Sequence, residues 1–270
     1  MLDADPAVWT GPDDWVLPGR AQLWIVLASG PVSARLRRRA PIELGRAVVF
    51  GPTTSPIPFA GSGGVSVALD LTPAGWARFS RRPAAELRDR VEPADDMFVE
   101  ALGRDWVTDL VAALHASDQA EQVAPLLDAF FLDRLPPAHA DEADAAAVAT
   151  ALERDGLSLG DASAHLGLSR CRVGRMSERY IGHAPGLVRR RARLLRVLVP
   201  ALMTDSAMPV VPPGYHDAPH LGRDAREFLT MTARRFLALP MPYLRAALRA
   251  RTAVIGAPLA VLDGDRGGFV

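Results

Sequence analysis

Residues 158–182 read SLGDASAHLGLSRCRVGRMSERYIG, and their punctuation decides the fold of the second half of the chain. Ser158 is a good helix N-cap with Asp161 three residues on, a spacing at which cap and carboxylate can satisfy each other's amides. Gly167 is placed to end that helix in a left-handed turn, and Ser169 caps a second helix two residues later. Helix, short turn containing glycine, helix is helix-turn-helix spacing. At about 100° per residue, Val173, Met176 and Tyr180 fall on one face of the second helix and are expected in the core. The opposite face carries Cys171, Gly174, Arg175 and Glu178, with Arg172 and Arg179 along its flank. In a helix-turn-helix that outward face enters the major groove. Arg175 is the long donor best placed there for a guanine edge. Arg170, Arg172 and Arg179, with Arg189, Arg190, Arg191 and Arg193 beyond, suit phosphates. A solvent-exposed helix pair would share the spacing, so further signals are needed.

Charge is one of them. The 270 residues carry 31 basic and 31 acidic side chains, and every basic one is arginine. Residues 1–150 hold 13 Arg against 21 Asp and Glu, whereas residues 151–251 hold 17 Arg against 8 acids. A basic half beside an acidic half suggests an anion-binding module next to a regulatory one; a solvated arginine face is the alternative. Hydrophobic residues make up 49% of the chain, which excludes a disordered or collagen-like polymer. The single cysteine, Cys171, can form no internal bridge, and with no membrane-length apolar run and no signal-peptide pattern the expectation is a cytoplasmic protein.

Towards the N-terminus the patterning changes. Residues 22–28, 47–51 and 65–71 are β-branched, apolar and bounded by Gly, Pro and Ser, as strands are. TPAGWARF (72–79) opens a helix with Pro73 in its first turn. Helical patterns follow at 83–91, 97–115 and 119–133; in the second, Phe98, Leu102, Trp106, Leu110 and Leu114 recur every four residues. The polar stretch 136–145 reads as a linker. The resulting expectation is an α+β chain. A small β-rich domain with C-terminal helices (1–135) precedes an all-α domain of two helix-turn-helix units (146–240) and a C-terminal helix and tail (241–270). Residues 254–270 end the chain as a short strand or a frayed segment.

On these residues a family resemblance rests. GLSRCRVGRMSERYIGHAP (167–185) resembles the first helix-turn-helix of AraC-type (AraC/XylS) transcription regulators. GYHDAPHLGRDAREFLTMTARRF (214–236) resembles the second, including a Gly-aromatic-x-Asp-x-x-His-aliphatic-x-Arg-Asp phrase. VLPGRAQLWIVL and LDLTPAGWARF resemble the small β-rich sensor domain that precedes this module in some members. The resemblance implies that Arg175 and Arg223 lie on the two recognition helices, with Pro219, Gly222 and Arg226 beside Arg223. It also places Gly182 and Pro185 in the turn after the first unit and Arg193 on the connecting helix. The implied partners are double-stranded DNA and a small-molecule effector or protein at the N-terminal domain.

Departures from the family pattern matter as much. The scaffold helix expected before Gly214 is replaced by AMPVVPPG, whose prolines forbid a regular helix. Ala225, Thr230 and Ala233 stand where the family usually has Phe, Gly and Pro. Cys171, Gly174, Ala218 and Gly222, nearest the base edges, can touch a thymine methyl at best. Three outcomes fit: binding by charge, use of one half only, or a scaffold that acts through a protein partner.

Other chemistries fare worse. His216 and His220 imitate zinc-ligand spacing, but Asp217 reads as the N-cap and Pro219 as first turn, which puts His216 outside the helix. No histidine or cysteine precedes His115, which argues against a metal-dependent barrel enzyme. GSGG (61–64) reads as a hairpin turn rather than a phosphate loop. Trp24 and Trp76 are candidates to line an apolar ligand pocket, with simple core packing as the alternative. No cofactor, metal or enzymatic activity is expected.

Overall fold

The computed structural model describes residues 13–257, apart from 29, 38, 62–64, 118, 155, 207, 209 and 210. The three strands read from the sequence are β2 (Gln22–Val26), β5 (Ala47–Phe50) and β7 (Ser66–Asp70). They share one antiparallel sheet of order β7-β2-β5-β8, completed by β8 (Val91–Pro93). A second sheet, β1-β6-β3-β4, comprises β1 (Asp14–Val16), β6 (Ile57–Gly61), β3 (Val32–Ala34) and β4 (Ile42–Glu43). These four are two to five residues long, too short for alternation to show against their Pro- and Gly-rich surroundings.

Side chains alternate across β2, so its two faces serve two cores. Trp24 points between the sheets, edge-on to Phe50 at 5.2 Å, with Val32, Leu36, Leu44 and Ile57 around it. Leu23 and Ile25 point the other way and pack with Val49 against the helices. All four residues of β5 are buried, because both of its faces are covered.

Helix α1 (Pro73–Phe79) starts where Pro73 predicts, with Thr72 accepting from the Gly75 amide. Two helical expectations need correction. Residues 83–91 form only a 3-10 turn, Ala84–Leu87, before β8: Asp89 adopts φ 52°, which no helix continues through. The single helix expected over 97–115 is two, α2 (Ala94–Leu102) and α3 (Trp106–His115), broken at Gly103 with φ 90°. The five apolar residues that suggested one helix are all buried nonetheless. Helices α4 (Ala120–Asp133) and α5 (Glu142–Glu153) follow; the linker expected over 136–145 is therefore shorter, because its last four residues form the first turn of α5 and Ala145 packs in the core.

The second half is helical: α6 (Leu159–Leu166), α7 (Arg170–Met176), a π-helical turn Ser177–Ile181, α8 (Pro185–Thr204), α9 (Ala218–Leu229), α10 (Ala233–Leu237) and α11 (Pro242–Ile255). The hairpin turn expected at GSGG falls on Ser62–Gly64, and most of the tail on 258–270, both outside the described residues. Among the described residues no helix is long and apolar enough to cross a membrane.

The two halves are packed rather than merely tethered. One hydrophobic cluster runs from Leu23 and Trp106 through Val148 to Val173, Met176 and Val188. Asp14 of β1, fully buried, accepts hydrogen bonds from the Tyr243 and Leu244 amides and so caps α11. Arg20 pairs with Glu153 of α5. Arg191 of α8 is 3% exposed and donates to the carbonyls of Gly19 and Thr53, and burial pulls its pKa only to about 10, so it remains charged at neutral pH.

His183 lies at the same junction, with 0% exposure and no hydrogen-bond partner for either ring nitrogen. Burial first, then the Arg191 and Arg88 charges, hold its pKa down to about 2. The unfolded chain takes up that proton near the ordinary value of 6.5, so the stability tied to a neutral ring is full above that pH and is lost as pH falls towards 2. Between pH 7 and 5 the parent is expected to lose roughly 2 kcal/mol through this group. Urea unfolding of parent and His183→Gln at both pH values checks it; an equal decline in both would contradict the assignment.

Candidate nucleic-acid interface

The α6–α7 unit forms as its caps dictate. Ser158 accepts from the Asp161 amide while Asp161 accepts from the Ser158 amide, a complete capping box. Those bonds hold the Asp161 carboxyl below its ordinary pKa, helped by Arg189 and Arg170. Gly167 ends α6 at φ 63°, and Ser169 accepts from the Arg172 amide to start α7. Val173, Met176 and Tyr180 are buried, whereas Cys171 and Arg175 are exposed. After the π-helical turn, Gly182 at φ 83° reverses the chain and Pro185 opens the 20-residue α8.

The second unit is built differently. Among the described residues, 205–217 contain no helix, so α9 lacks the scaffold helix of a helix-turn-helix. A buried carboxylate takes over its supporting role. Asp224, 0% exposed, receives Arg190 at 2.8 Å, Arg193 at 2.7 Å and the Tyr215 hydroxyl at 3.1 Å. Arg190 also binds Glu227, so two arginines of α8 grip α9. Asp217 caps α9 by accepting from the His220 amide at 2.6 Å. His220 Nε2 accepts from Arg193 at 2.8 Å. Among the described residues no group of three His, Cys, Asp or Glu is placed to hold a metal.

The predicted phosphate-binding arginines therefore divide into two sets. Arg172 is held by Asp144 at 2.8 Å, Arg190 by Asp224 and Glu227 and Arg193 by Asp224, while Arg191 is buried against the Gly19 and Thr53 carbonyls, so these four serve the fold rather than phosphates. Arg170, Arg175, Arg223 and Arg226 are exposed and make no ion pair among the described residues; Arg189 is half-buried and likewise unpaired. Arg170 lies over Gly160, and Arg179 donates to the Tyr180 hydroxyl at 3.1 Å. Pro219 and Gly222 sit on the outer part of α9, Pro219 exposed and Gly222 partly so. Sequence reasoning missed Arg234 and Arg235, exposed on α10 behind the Thr232 cap. Their signal was present as a Thr-Ala-Arg-Arg helix start.

The N-terminal half reaches the outward side of α7. Arg88 donates to Glu178 at 2.5 Å and to the Gly182 carbonyl at 2.8 Å. Pro83 and Ala85 wall one side of the shallow groove bordered by Cys171, Gly174 and Arg175. Elsewhere, an apolar cavity of about 300 Å³ lies between the sheets and helices α8 and α11, with Trp24, Phe59, Leu195 and Leu248 in its walls and Arg191 and Glu153 beside it. Trp24 thus borders a cavity. Trp76 does not: it is 1% exposed in the helical core, with its indole donating to the Arg82 carbonyl at 2.7 Å.

No family model matches the sequence, and no curated protein matches it. The chain is similar to two solved structures of ToxT from Vibrio cholerae strain SCE256. The first, an apo point variant, shares 11% identity with a TM-score of 0.43, the match covering 84% of this chain and 91% of that one. The second, the wild type with an unsaturated fatty acid bound, shares 9% identity with a TM-score of 0.44, covering 84% and 90%.

Proposed function

We propose that the chain is a DNA-binding transcription regulator of the AraC type, working in the cytoplasm. An N-terminal sensor half (1–135) is joined through 136–141 to a helical DNA-binding half that begins with α5 and runs to 240. The observation that carries this reading is the α6–α7 unit: the Ser158–Asp161 capping box, the left-handed Gly167 turn and the Ser169 cap set two short helices in helix-turn-helix order, with Arg170 and Arg175 exposed and in no ion pair among the described residues. Helix α9, gripped by Arg190 and Arg193 of α8, is the second helix offered to the duplex. Arg175 and Arg223 act at the base edges; Arg170, Arg179, Arg189 and Arg226 act on phosphates. Arg172 and Arg190 are occupied by carboxylates and serve the fold instead. The cavity beside Trp24 is the place for a small apolar effector, because its walls come from both halves.

Fluorescence-anisotropy titration of duplex from the upstream region of the protein's own gene, against a scrambled duplex, tests the reading. Arg175→Ala or Arg223→Ala is expected to weaken binding to the preferred duplex by roughly 5- to 150-fold, corresponding to about 1–3 kcal/mol. Parent and variants of equal affinity would remove those roles. A second reading has its own support: the outward positions are short (Cys171, Gly174, Ala218, Gly222), and the turn that follows α7 is held by Arg88. On that reading the fold acts through a protein partner, and the parent binds neither duplex.

A further inference from the structure

The acidic N-terminal half contains one run of opposite sign, ARLRRRAP at residues 34–41, with four arginines in five positions. It forms the connection from β3 to β4 and therefore the end of the hairpin at the outer edge of its sheet, the edge away from β1 and α11. The loop is anchored. Leu36 is 3% exposed in the core between the sheets, and the Arg39 amide donates to the Leu36 carbonyl at 3.1 Å. Leu36 is turned inward, whereas Arg37 and Arg39 after it are exposed, and neither makes an ion pair among the described residues. Most arginines elsewhere in this half do the opposite: Arg20, Arg78, Arg81, Arg82, Arg88 and Arg134 each reach a carboxylate.

Two arginines two positions apart on one loop, without counter-charge, repel one another, and that cost is relieved when an anion meets both. The guanidinium fork matches two phosphate oxygens at once, and a short arginine-rich run on a fixed backbone is suited to a polyanion. We propose that Arg37 and Arg39 on the β3–β4 loop form a second phosphate-contacting surface, which engages the backbone of duplex DNA flanking the segment held by α7 and α9. This inference rests on the duplex-binding reading above. It adds that affinity, though not base preference, is shared with the N-terminal half.

The test is the salt dependence of binding of the full chain to a long and a short duplex, for parent, the pair Arg37→Gln/Arg39→Gln, and the pair Arg223→Gln/Arg226→Gln. Each lost phosphate contact lowers the slope of log K against log salt by about 0.9. The loop pair should therefore lower it by about 1.8 on the long duplex only. Its deficit relative to parent should be about twelvefold larger at 50 mM than at 200 mM salt. Both side chains are exposed, so the thermal midpoint should not move. An unchanged slope for the loop pair, while the α9 pair still weakens binding, overturns this inference and leaves the regulator reading intact. Absence of duplex binding by the parent at any salt overturns both. Loop-dependent binding to phosphatidylglycerol vesicles with an unchanged duplex slope overturns the inference in favour of an anionic membrane surface.

Discussion

Gly182→Ala is expected to destabilise the protein by about 2–5 kcal/mol, read as a lower urea midpoint at unchanged slope. Two costs combine. At φ 83° the residue lies in the left-handed region, where a side chain costs roughly 1–2 kcal/mol. A Cβ there would also fall 2.5 Å from Pro52 Cγ and 3.2 Å from the Ala84 carbonyl carbon, both in the N-terminal half. Gly167→Ala separates the terms: it has φ 63° but nothing within 4 Å of a Cβ. It should lose only the conformational part. If the two variants were equally destabilised, Pro52 would not press on the turn, and the close seam between the halves would be refuted.

Asp224→Ala is expected to cost about 2–3 kcal/mol and to loosen α9. Removing one partner of a buried ion pair costs up to about 5 kcal/mol, since the remaining charge loses its partner without regaining water. The figure is reduced here because the Arg190 and Arg193 side chains are 39% and 25% exposed and recover part of their hydration. The Tyr215 hydroxyl, whose pKa burial raises, loses its acceptor as well. Thermal unfolding with amide hydrogen exchange across 218–229 checks both parts. Exchange in α9 should accelerate more than in α6, which the network does not touch. A uniform change along the chain would mean that Asp224 does not hold α9 in particular.

Much of the candidate interface was legible in the residues themselves. The start and end of α6, the start of α7 and its buried face follow from Ser158, Asp161, Gly167, Ser169 and the period of Val173, Met176 and Tyr180. The prolines before Gly214 announced that α9 would lack a scaffold helix, and Asp217 announced its cap. The break at Gly103 was not legible, because the apolar period of four runs straight across it: both helices bury the same kind of face. The short strands β3, β4 and β6 were hidden for a related reason. β3 and β6 are stabilised by pairing with each other across a long stretch of chain, and β4 by its hairpin with β3, rather than by any pattern of their own.

The sequence by itself determined what depends on neighbours within a turn or two: the caps, the glycine reversals, the buried and outward faces of α7, and the division into an acidic and a basic half. Tertiary structure alone decided which arginines are available. Arg172 and Arg175 are three residues apart and look alike in the chain, yet Asp144 of α5 claims the first and no carboxylate among the described residues claims the second. Arg190 and Arg189 are adjacent, and only Arg190 meets Asp224 and Glu227, more than thirty positions further on. Caps and periodicity are set by covalent spacing, whereas an ion pair forms between whatever charges the folded chain brings within a few ångströms. The part of the surface free to meet a phosphate is therefore a property of the packed molecule.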